Sequence, residues 1–257
     1  MGSAAAVRLI PVALGAEIVA GDKLADKLEI ELRHQKQKLH PGDVLVVKHK
    51  IVSKAEGRIV CLSTVKPSAA AKAWSHIGGA DARVAQLAFK ESRSVLRKRV
   101  IAGRGVLITE TNHGLICANS GVDVSNVDGG AHAVLLPKNP DKSAAELRKA
   151  INKKIGVSVV VIISDSFGRP WREGLTEVAI GVAGMKPLLD YRGKRDQHGY
   201  VLHASKEAIA DELACAAGLV CGKLNRTPFC IVRGVRYQAG RGSASELIRP
   251  RKNDLFR

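Results

Sequence analysis

The order of apolar and polar positions along the chain predicts a mixture of strands and helices. Short apolar runs indicate strands in eight segments: 7–12, 43–52, 106–111, 114–118, 131–136, 157–163, 176–184 and 229–233. Apolar residues spaced three or four apart indicate helices in three segments: 22–37, 143–156 and 205–222. The Ala-rich segment 67–99 is also helical in character, interrupted at Gly78 and Gly79. This mixture predicts an α+β fold with mixed β-sheets and flanking helices.

Local signals predict where several of these elements begin and end. Asp22 is the expected N-cap of the first helix, and Ser143 to Glu146 has the form of a capping box. Gly156 is expected to end the helix that follows this box. The turn Asn112-His113-Gly114 is expected to join two of the strands into a hairpin.

The segment 157–163 is the most strongly predicted strand, and a carboxylate follows it. Its largely β-branched, apolar composition indicates a strand buried on both faces. Because the helix 143–156 connects it to the strand 131–136, we expect these two strands to pair in parallel. Asp165 then stands at the start of a polar loop, at a strand end of the kind where open α/β sheets bind ligands. The alternative is that Asp165 only caps a turn.

Basic side chains cluster in and just after the predicted strand 43–52. They are Lys48, His49, Lys50, Lys54 and Arg58. One interpretation is a rim that binds phosphate groups. The other is an edge strand that lysines protect from pairing with another chain. The spacing alone does not separate these two interpretations.

The loop 119–130 is rich in oxygen donors and glycine. It contains two Asp, two Asn, two Ser and three Gly residues, including Asp123 and Asn126. Such a loop can fold tightly around a hard cation, although it lacks the spacing of a calcium-binding loop. The alternative is an ordinary polar loop, since the same residue types dominate turns.

The charge of the chain favours a polyanionic ligand. With 41 Lys and Arg against 24 Asp and Glu, the 257 residues carry a formal charge of +17. One candidate is a nucleic-acid-binding protein, but the basic residues are dispersed and the aromatics are few: two Trp, three Tyr and four Phe. A small, highly anionic substrate uses the same electric field. Nucleic acid therefore stays the alternative partner and not the expected one.

Other classes of protein are disfavoured by what the sequence lacks. No segment reaches the roughly 18 apolar residues of a membrane helix, so we expect no membrane partner. The five cysteines form no C-x-x-C pair, which favours a reducing, cytoplasmic location over a disulfide framework or a zinc site. Neither of the common glycine-rich nucleotide-binding loops is present. A phosphohydrolase that uses Asp165 as nucleophile is weakened because Phe167 stands where a second Asp is expected.

Four collinear segments of the chain resemble a known enzyme family. They are VVKHKIVSKAEGR (46–58), NSGVDVSNVDG (119–129), SDSFGRPWREGLTEVAIGVAG (164–184) and SELIRPRKNDLF (245–256). Together they are similar to the coenzyme F420-0:L-glutamate ligases, the gamma-glutamyl ligases of deazaflavin coenzyme biosynthesis. The resemblance is to the stand-alone form, without the nitroreductase-like second domain of actinobacterial relatives. It implies a single ligase domain over residues 1–257, in two lobes with the active site between them, and a homodimer.

The resemblance also implies a reaction. It predicts a GTP-dependent ligase that activates a carboxylate of coenzyme F420-0 as an acyl phosphate, which the amine of L-glutamate then displaces to form an amide. Further glutamates would be added by gamma-linkage. Mg²⁺ or Mn²⁺, and K⁺ as a monovalent cation, are the implied cofactors.

By position, the resemblance assigns roles to particular residues. Asp123 and Asp165 match metal ligands, and Ser166 matches a contact to a second metal. The nucleotide contacts that it implies are the following residues: Gly15, Ala16, Glu17, Ile18, His49, Lys50, Lys54 and Asn126. The residues expected to carry catalysis are Asp123, Asp165 and Lys54. These roles agree with physical expectation, since lysines and metal ions promote phosphoryl transfer by positioning and by neutralising charge.

One position departs from the family pattern. Archaeal members carry an acidic metal-binding residue in the stretch that matches 222–226, and here Lys223 stands at that position. Either the second metal is held differently, or Lys223 contacts a phosphate group of the nucleotide. The second possibility is our hypothesis.

Replacement of Lys223 by alanine is therefore expected to weaken the binding of GTP, because one cationic contact to the phosphates is lost. Isothermal titration of GTP into wild type and Lys223→Ala measures this. An unchanged affinity would show that Lys223 does not contact the nucleotide.

Overall fold

The computed structural model describes residues 6–125 and 129–255. Its strands are β1 (Arg8–Val12), β2 (Val44–Lys48), β3 (Ile59–Cys61), β4 (Ser92–Ile101), β5 (Arg104–Thr111), β6 (Ile116–Ala118), β7 (His132–Val134), β8 (Val160–Arg169), β9 (Arg172–Ala183), β10 (Leu189–Asp190), β11 (Lys206–Glu207) and β12 (Phe229–Arg233). Its α-helices are α1 (Leu24–His34), α2 (His49–Ala55), α3 (Ala69–Gly78), α4 (Ala82–Lys90), α5 (Pro140–Ile155) and α6 (Ile209–Cys221). The predicted α+β class is confirmed, whereas the division into two lobes stays a prediction.

A five-stranded mixed sheet in the order β1-β12-β2-β8-β9 forms the centre of the fold. Strands β2 and β8 pair in parallel, with Val44 opposite Val160 and Lys48 opposite Ser164. The other neighbours in this sheet pair antiparallel. The prediction of a parallel partner for β8 was therefore right, but the predicted partner was wrong. The strand before α5, β7, instead pairs antiparallel with β3, which holds it in a separate two-stranded sheet.

Strand β8 is buried on both faces, as its composition predicted. Val161 and Ile163 pack into a core cluster that includes residues of α1 and α5. Val160 and Ile162 point the other way and pack into a second cluster that includes residues of α6. Alternate residues of one strand thus contribute to two separate cores, which is why the strand has no polar side in its buried part.

A third core cluster is formed outside the central sheet. Trp74 of α3, Leu87 and Ala88 of α4 and Leu107 of β5 are buried in it. The prediction of helix as far as residue 99 was wrong, because α4 ends at Lys90 and the chain continues as β4. Strand β4 pairs antiparallel with β5 over its length, so the ladder of backbone hydrogen bonds outweighs the local helical character. The basic residues of this segment, Arg93, Arg97, Lys98 and Arg99, therefore lie in a strand and not at a helix end.

The predicted N-caps of two helices were wrong, and the predicted C-terminus of α5 was right. The N-cap of α1 is Lys23, while Asp22 accepts a hydrogen bond from the Val19 amide at 2.9 Å. Helix α5 begins one turn before the predicted capping box, because the side chain of Asn139 accepts a hydrogen bond from the Lys142 amide. Gly156 ends α5 with a φ of 77°, the left-handed conformation that glycine adopts without strain.

The predicted loop after β8 is largely a hairpin. Strand β8 continues to Arg169 and pairs with β9, so that Asp165 lies opposite Val178 and Ser166 opposite Glu177. Asp165 is consequently a strand residue, and the alternative that it only caps a turn was wrong. The hairpin predicted from Asn112-His113-Gly114 is confirmed, since β5 and β6 pair antiparallel. No helix among the described residues is long and apolar enough to cross a membrane.

The first turn of α5 packs directly on β9 at Gly181. A Cβ added to Gly181 would collide with the Pro140 carbonyl group. The neighbouring Val182 amide donates to Asp141 Oδ1 at 2.8 Å, which holds the helix against the strand. Glycine is thus required here by close approach and not by its backbone angles.

We expect Gly181→Ala to lower the free energy of unfolding by about 1–3 kcal/mol, because α5 and β9 must separate to admit the methyl group. Thermal melting followed by circular dichroism measures the change. Gly168→Ala is the matched control in the neighbouring strand, since the nearest atom to its added Cβ lies 3.9 Å away. Equal melting temperatures for the two variants would contradict this packing.

Candidate active site

A cleft of about 730 Å³ brings most of the predicted site residues together. It is lined by the following predicted residues: Ala16, Glu17, Ile18, His49, Lys50, Lys54, Asp123, Asp165, Ser166 and Lys223. Gly15 is not part of the lining, and its amide donates to Glu31 Oε1 at 2.8 Å. Asn126 lies outside the described residues.

The junction of β2 and α2 supplies the basic side chains of the cleft. Strand β2 lies inside the central sheet between β12 and β8, so the interpretation of its lysines as protection of an edge strand was wrong. Because the strand ends at Lys48 and the helix begins at His49, successive side chains leave the junction in different directions. Each basic residue contacts a different carboxylate: Lys48 with Glu177 at 2.6 Å, His49 with Asp165 at 3.2 Å, Lys50 with Asp123 at 2.7 Å, and Lys54 with Glu17 at 3.0 Å.

Asp123 is fixed by backbone and side-chain contacts. Its amide and carbonyl group exchange hydrogen bonds with Val134, the last residue of β7 in the small sheet. Its carboxylate accepts hydrogen bonds from the Ser125 amide at 2.7 Å and from the Ser125 hydroxyl at 3.1 Å. Burial raises the pKa of Asp123, but the hydrogen bonds from Lys50 and Ser125 outweigh burial, so that the net pKa lies below its usual value. Asp123 is therefore ionised at neutral pH.

Asp165 is held between the sheet and α2. His49 Nε2 lies 3.2 Å from one carboxylate oxygen, and the Ser166 amide donates to the same oxygen at 2.7 Å. His49 itself is buried, and its Nδ1 lies 3.5 Å from the Ser53 hydroxyl one turn further along α2. The ring therefore bridges Asp165 to α2 and orients the carboxylate.

The Asp165 carboxylate contributes to the raised pKa of the buried thiol of Cys117. Cys117 of β6 is buried, and its pKa is raised to about 12. The larger cause is burial, and the second is the negative charge of Asp165, which opposes formation of a thiolate. Cys117 is consequently a neutral structural side chain at physiological pH and not a nucleophile.

Glu177 is a cleft residue that the sequence analysis did not identify. Its side chain accepts hydrogen bonds from the Ser166 hydroxyl at 2.6 Å and from the Ser164 hydroxyl at 2.9 Å, beside the contact with Lys48. Burial raises the pKa of Glu177, but Lys48 and Ser166 outweigh burial and hold the pKa below its usual value. The signal in the sequence was a lone carboxylate in an apolar strand, but only the register of the hairpin places it opposite Ser166.

The mouth of the cleft carries an exposed carboxylate between two cations. Glu17 contacts Lys54 through one oxygen and Arg226 through the other, at 3.0 and 3.3 Å. Arg226 follows Lys223 in the segment between α6 and β12 and also lines the cleft. This segment therefore brings further positive charge to the cleft.

Arg58, which belongs to the predicted basic cluster, does not line this cleft, and neither do Arg169 and Arg172 of the β8–β9 hairpin. Arg58 contacts Glu91 at 2.7 Å and donates to the Leu136 carbonyl group, so it joins the end of α4 to the segment after β7. Arg169 donates to the Glu173 carbonyl group at the tip of the β8–β9 hairpin, and Arg172 is exposed there.

The donor atoms of the cleft are suited to hard cations. In the described ranges, 6–125 and 129–255, no group of three or more His, Cys, Asp or Glu side chains is arranged to hold a metal ion. Magnesium and manganese are commonly bound by one or two protein carboxylates, with phosphate oxygens and waters completing the shell. The carboxylates of Asp123 and Asp165 fit such a cation, whose shell waters or phosphate oxygens would complete.

Comparison with known proteins places the chain in a family. The family model for F420-0:Gamma-glutamyl ligase matches residues 15–234. The chain is 40% identical to the coenzyme F420:L-glutamate ligase of Methanopyrus kandleri, over 100% of both sequences. It is 41% identical to the enzyme of the same name from Methanothermobacter thermautotrophicus, over 93% of this chain and 94% of the relative.

The chain therefore belongs to the ligases. The chain is a member of the F420-0:gamma-glutamyl ligase family. The family resemblance stated from the four sequence segments is confirmed.

The electrostatic effect of Asp165 on Cys117 can be tested directly. Asp165→Asn removes one of the two causes of the raised pKa of Cys117, so we expect its thiol to react faster with iodoacetamide at pH 9. Peptide mass spectrometry measures labelling at Cys117 itself. Asp196→Asn, in an exposed loop, is the control and should leave the rate unchanged. Equal rates in wild type and Asp165→Asn would contradict an effect of the Asp165 side chain on this thiol.

Proposed function

We propose that the protein is a GTP-dependent ligase that joins L-glutamate to a carboxylate of coenzyme F420-0. The observation that carries the proposal is the alternation of basic and acidic side chains along one cleft, in a chain of this family. The relatives from Methanopyrus kandleri and Methanothermobacter thermautotrophicus bear the name coenzyme F420:L-glutamate ligase, which gives the substrates.

The triphosphate of GTP would lie along the basic residues of the cleft. Lys50 and Lys54 on α2 are candidates for contacts to its oxygens, together with Lys223 and Arg226 from the segment between α6 and β12. The segment 15–18 borders the cleft at Ala16, Glu17 and Ile18 and would contact the nucleotide there. Since Glu17 already binds Lys54 and Arg226, an incoming phosphate would replace this carboxylate as their partner.

Asp123 and Asp165 would hold Mg²⁺ or Mn²⁺, and the Ser166 hydroxyl would contact a second cation. A bound divalent cation would neutralise the charge of the phosphates and favour their attack by another anion. K⁺ is the expected monovalent cation. His49 would keep Asp165 in place for this role, because it ties the carboxylate to α2.

The reaction needs no nucleophile from the protein. The substrate carboxylate would attack the γ-phosphorus of GTP, and GDP would leave, which gives an acyl phosphate. The amine of L-glutamate would then attack the acyl carbon, so that inorganic phosphate leaves and the nitrogen loses one proton. The Ser164 and Ser166 hydroxyls are engaged with Glu177, and no cysteine is among the cleft-lining residues of the described chain. The protein would contribute by positioning and by neutralising charge.

The product carries a new glutamate with free carboxylates, so a second cycle at the γ-carboxylate would extend the chain by gamma-linkage. A homodimer in the cytoplasm is the expected state of the protein.

The proposal is tested by incubating the protein with GTP, Mn²⁺, L-glutamate and F420-0 and measuring product masses. We expect one added glutamyl group, with GDP formed only when both acceptor and glutamate are present. If the acceptor carboxylate is labelled with ¹⁸O, one labelled oxygen should appear in the inorganic phosphate. Asp165→Asn should lower the rate by at least roughly 100-fold at saturating Mn²⁺, because a ligand to the cation is weakened.

The exposed Asp196→Asn variant is the control and should keep full activity. Full activity of Asp165→Asn would overturn the role of Asp165. Hydrolysis of GTP that does not depend on glutamate would support a phosphohydrolase instead. Sequence-selective binding of nucleic acid at physiological salt, without ligation, would support the nucleic-acid alternative.

A further inference from the structure

Four carboxylates line the described part of the cleft, and Glu177 is the one to which no role has been given. Its side chain is only 8% exposed, although it lies in the wall of a polar cleft. It contacts Lys48, Ser164 and Ser166, each within 3 Å. A buried ion pair recovers only part of its desolvation cost, so stabilisation of the fold is a weak reason to place one here.

The pleat of the sheet puts Glu177 on the opposite face from Asp165. Lys48 is paired with Ser164, and Ser166 with Glu177, so these four side chains lie on the same face. This is the face that packs against α6, because Ile162, two residues before Ser164, belongs to the core cluster of that helix.

Asp165 alternates with Ser164 and Ser166 and therefore points to the other face. Ile163, two residues before it, belongs to the cluster that includes α1 and α5. His49 contacts Asp165 on that face. The cleft thus has two groups of oxygen donors, separated by the backbone of β8.

Helix α6 leaves room for the Glu177 side chain by carrying glycine at position 218. A Cβ added to Gly218 would lie 2.8 Å from Glu177 Cγ. In addition, the Cys215 thiol donates to the Glu177 carbonyl group at 3.0 Å. The helix therefore contacts both the backbone and the side chain of this residue, which fixes the direction of the carboxylate.

The donors around Glu177 have the chemistry of a hard-cation site. They are one carboxylate and two hydroxyl groups, all oxygen ligands, at the wall of a cleft open to water and phosphate. Magnesium and manganese accept such partial shells and complete them with waters or substrate oxygens. The ammonium group of Lys48 lies 2.6 Å from the same carboxylate oxygen that accepts from Ser166, where it balances the negative charge of Glu177.

We propose that Glu177, together with the hydroxyls of Ser166 and Ser164, binds a divalent cation on the α6 face of the central sheet, in competition with Lys48. The proposal deepens the proposed function, since this cation is the second one that Ser166 would contact. Binding of the cation would release the Lys48 ammonium group towards the phosphates in the same cleft. Lys48 and the cation are therefore alternative partners of Glu177.

The test measures Mn²⁺ binding without nucleotide, by the electron paramagnetic resonance signal of free Mn²⁺ during titration of the whole protein. Wild type is expected to show two classes of bound Mn²⁺. Glu177→Gln should lose one class, and Asp165→Asn should lose the other, because the two donor groups lie on opposite faces. Glu173→Gln is the matched control, exposed in the same strand, and should bind as wild type does. Wild-type Mn²⁺ binding by Glu177→Gln would overturn the proposal.

A second variant guards against loss of folding, since Glu177→Gln leaves Lys48 without its partner. Lys48→Gln removes the competing cation, so Mn²⁺ should bind several-fold more tightly to the Glu177 class. Unchanged or weaker binding would show that Lys48 and Glu177 form only a structural pair. Thermal melting of each variant confirms that the measured protein is folded.

The outcome is separable from that of the proposed function. A wild-type protein that makes the glutamyl product while Glu177→Gln binds Mn²⁺ normally would leave the ligase assignment intact and overturn the Glu177 site. If Glu177→Gln loses one class of bound Mn²⁺ but the wild-type protein makes no glutamyl product, the Glu177 site would stand and the ligase assignment would be overturned.

Discussion

The parallel pairing of β2 with β8 is the constraint on which the cleft depends. It sets Lys48 beside Ser164 at the point where β2 ends and α2 begins. Because parallel strands end at the same edge of a sheet, the basic junction after β2 lies beside Asp165, which follows Ser164 in β8. A shift of this register by one residue would send Lys48 to the other face, away from Glu177. The interleaved charges of the cleft are thus a consequence of how two apolar strands align.

The charges of the cleft balance one another in the absence of ligands. Each basic residue of the β2–α2 junction that lines the cleft contacts a different carboxylate, so no described member of this group is left as an isolated buried charge. Under the proposed function, a nucleotide that brings divalent cations would offer new partners to both sides, phosphate for Lys50 and Lys54 and metal for Asp123 and Asp165. Metal and nucleotide binding should therefore favour each other, because each releases the groups that the other needs.

Several features of the fold followed from local sequence, and others depended on distant pairing. Strand β12 was predicted with the bounds it has, and burial of β8 on both faces followed from its composition. Helix was predicted through residue 99 because Ala-rich segments favour it, but pairing with β5 decides that segment in favour of a strand. The pairing of β8 with β2 could not be predicted from local sequence, since residues 44–48 and 160–164 are far apart in the chain.

Part of the candidate site could likewise be predicted from local sequence, and part could not. Motifs identified Asp123, Asp165 and Lys54, because oxygen-rich loops and strand ends are visible in the sequence, and the cleft brings all three together. Glu177 was missed because one glutamate in an apolar strand is typical of an exposed face. The most direct test of where metal and nucleotide bind is anomalous diffraction from crystals of the protein with Mn²⁺ and a non-hydrolysable GTP analogue. The account predicts Mn²⁺ peaks beside Asp123 and Asp165 with Lys50 turned to a phosphate oxygen. A nucleotide bound outside the cleft, with Lys50 still on Asp123 and no Mn²⁺ there, would contradict it.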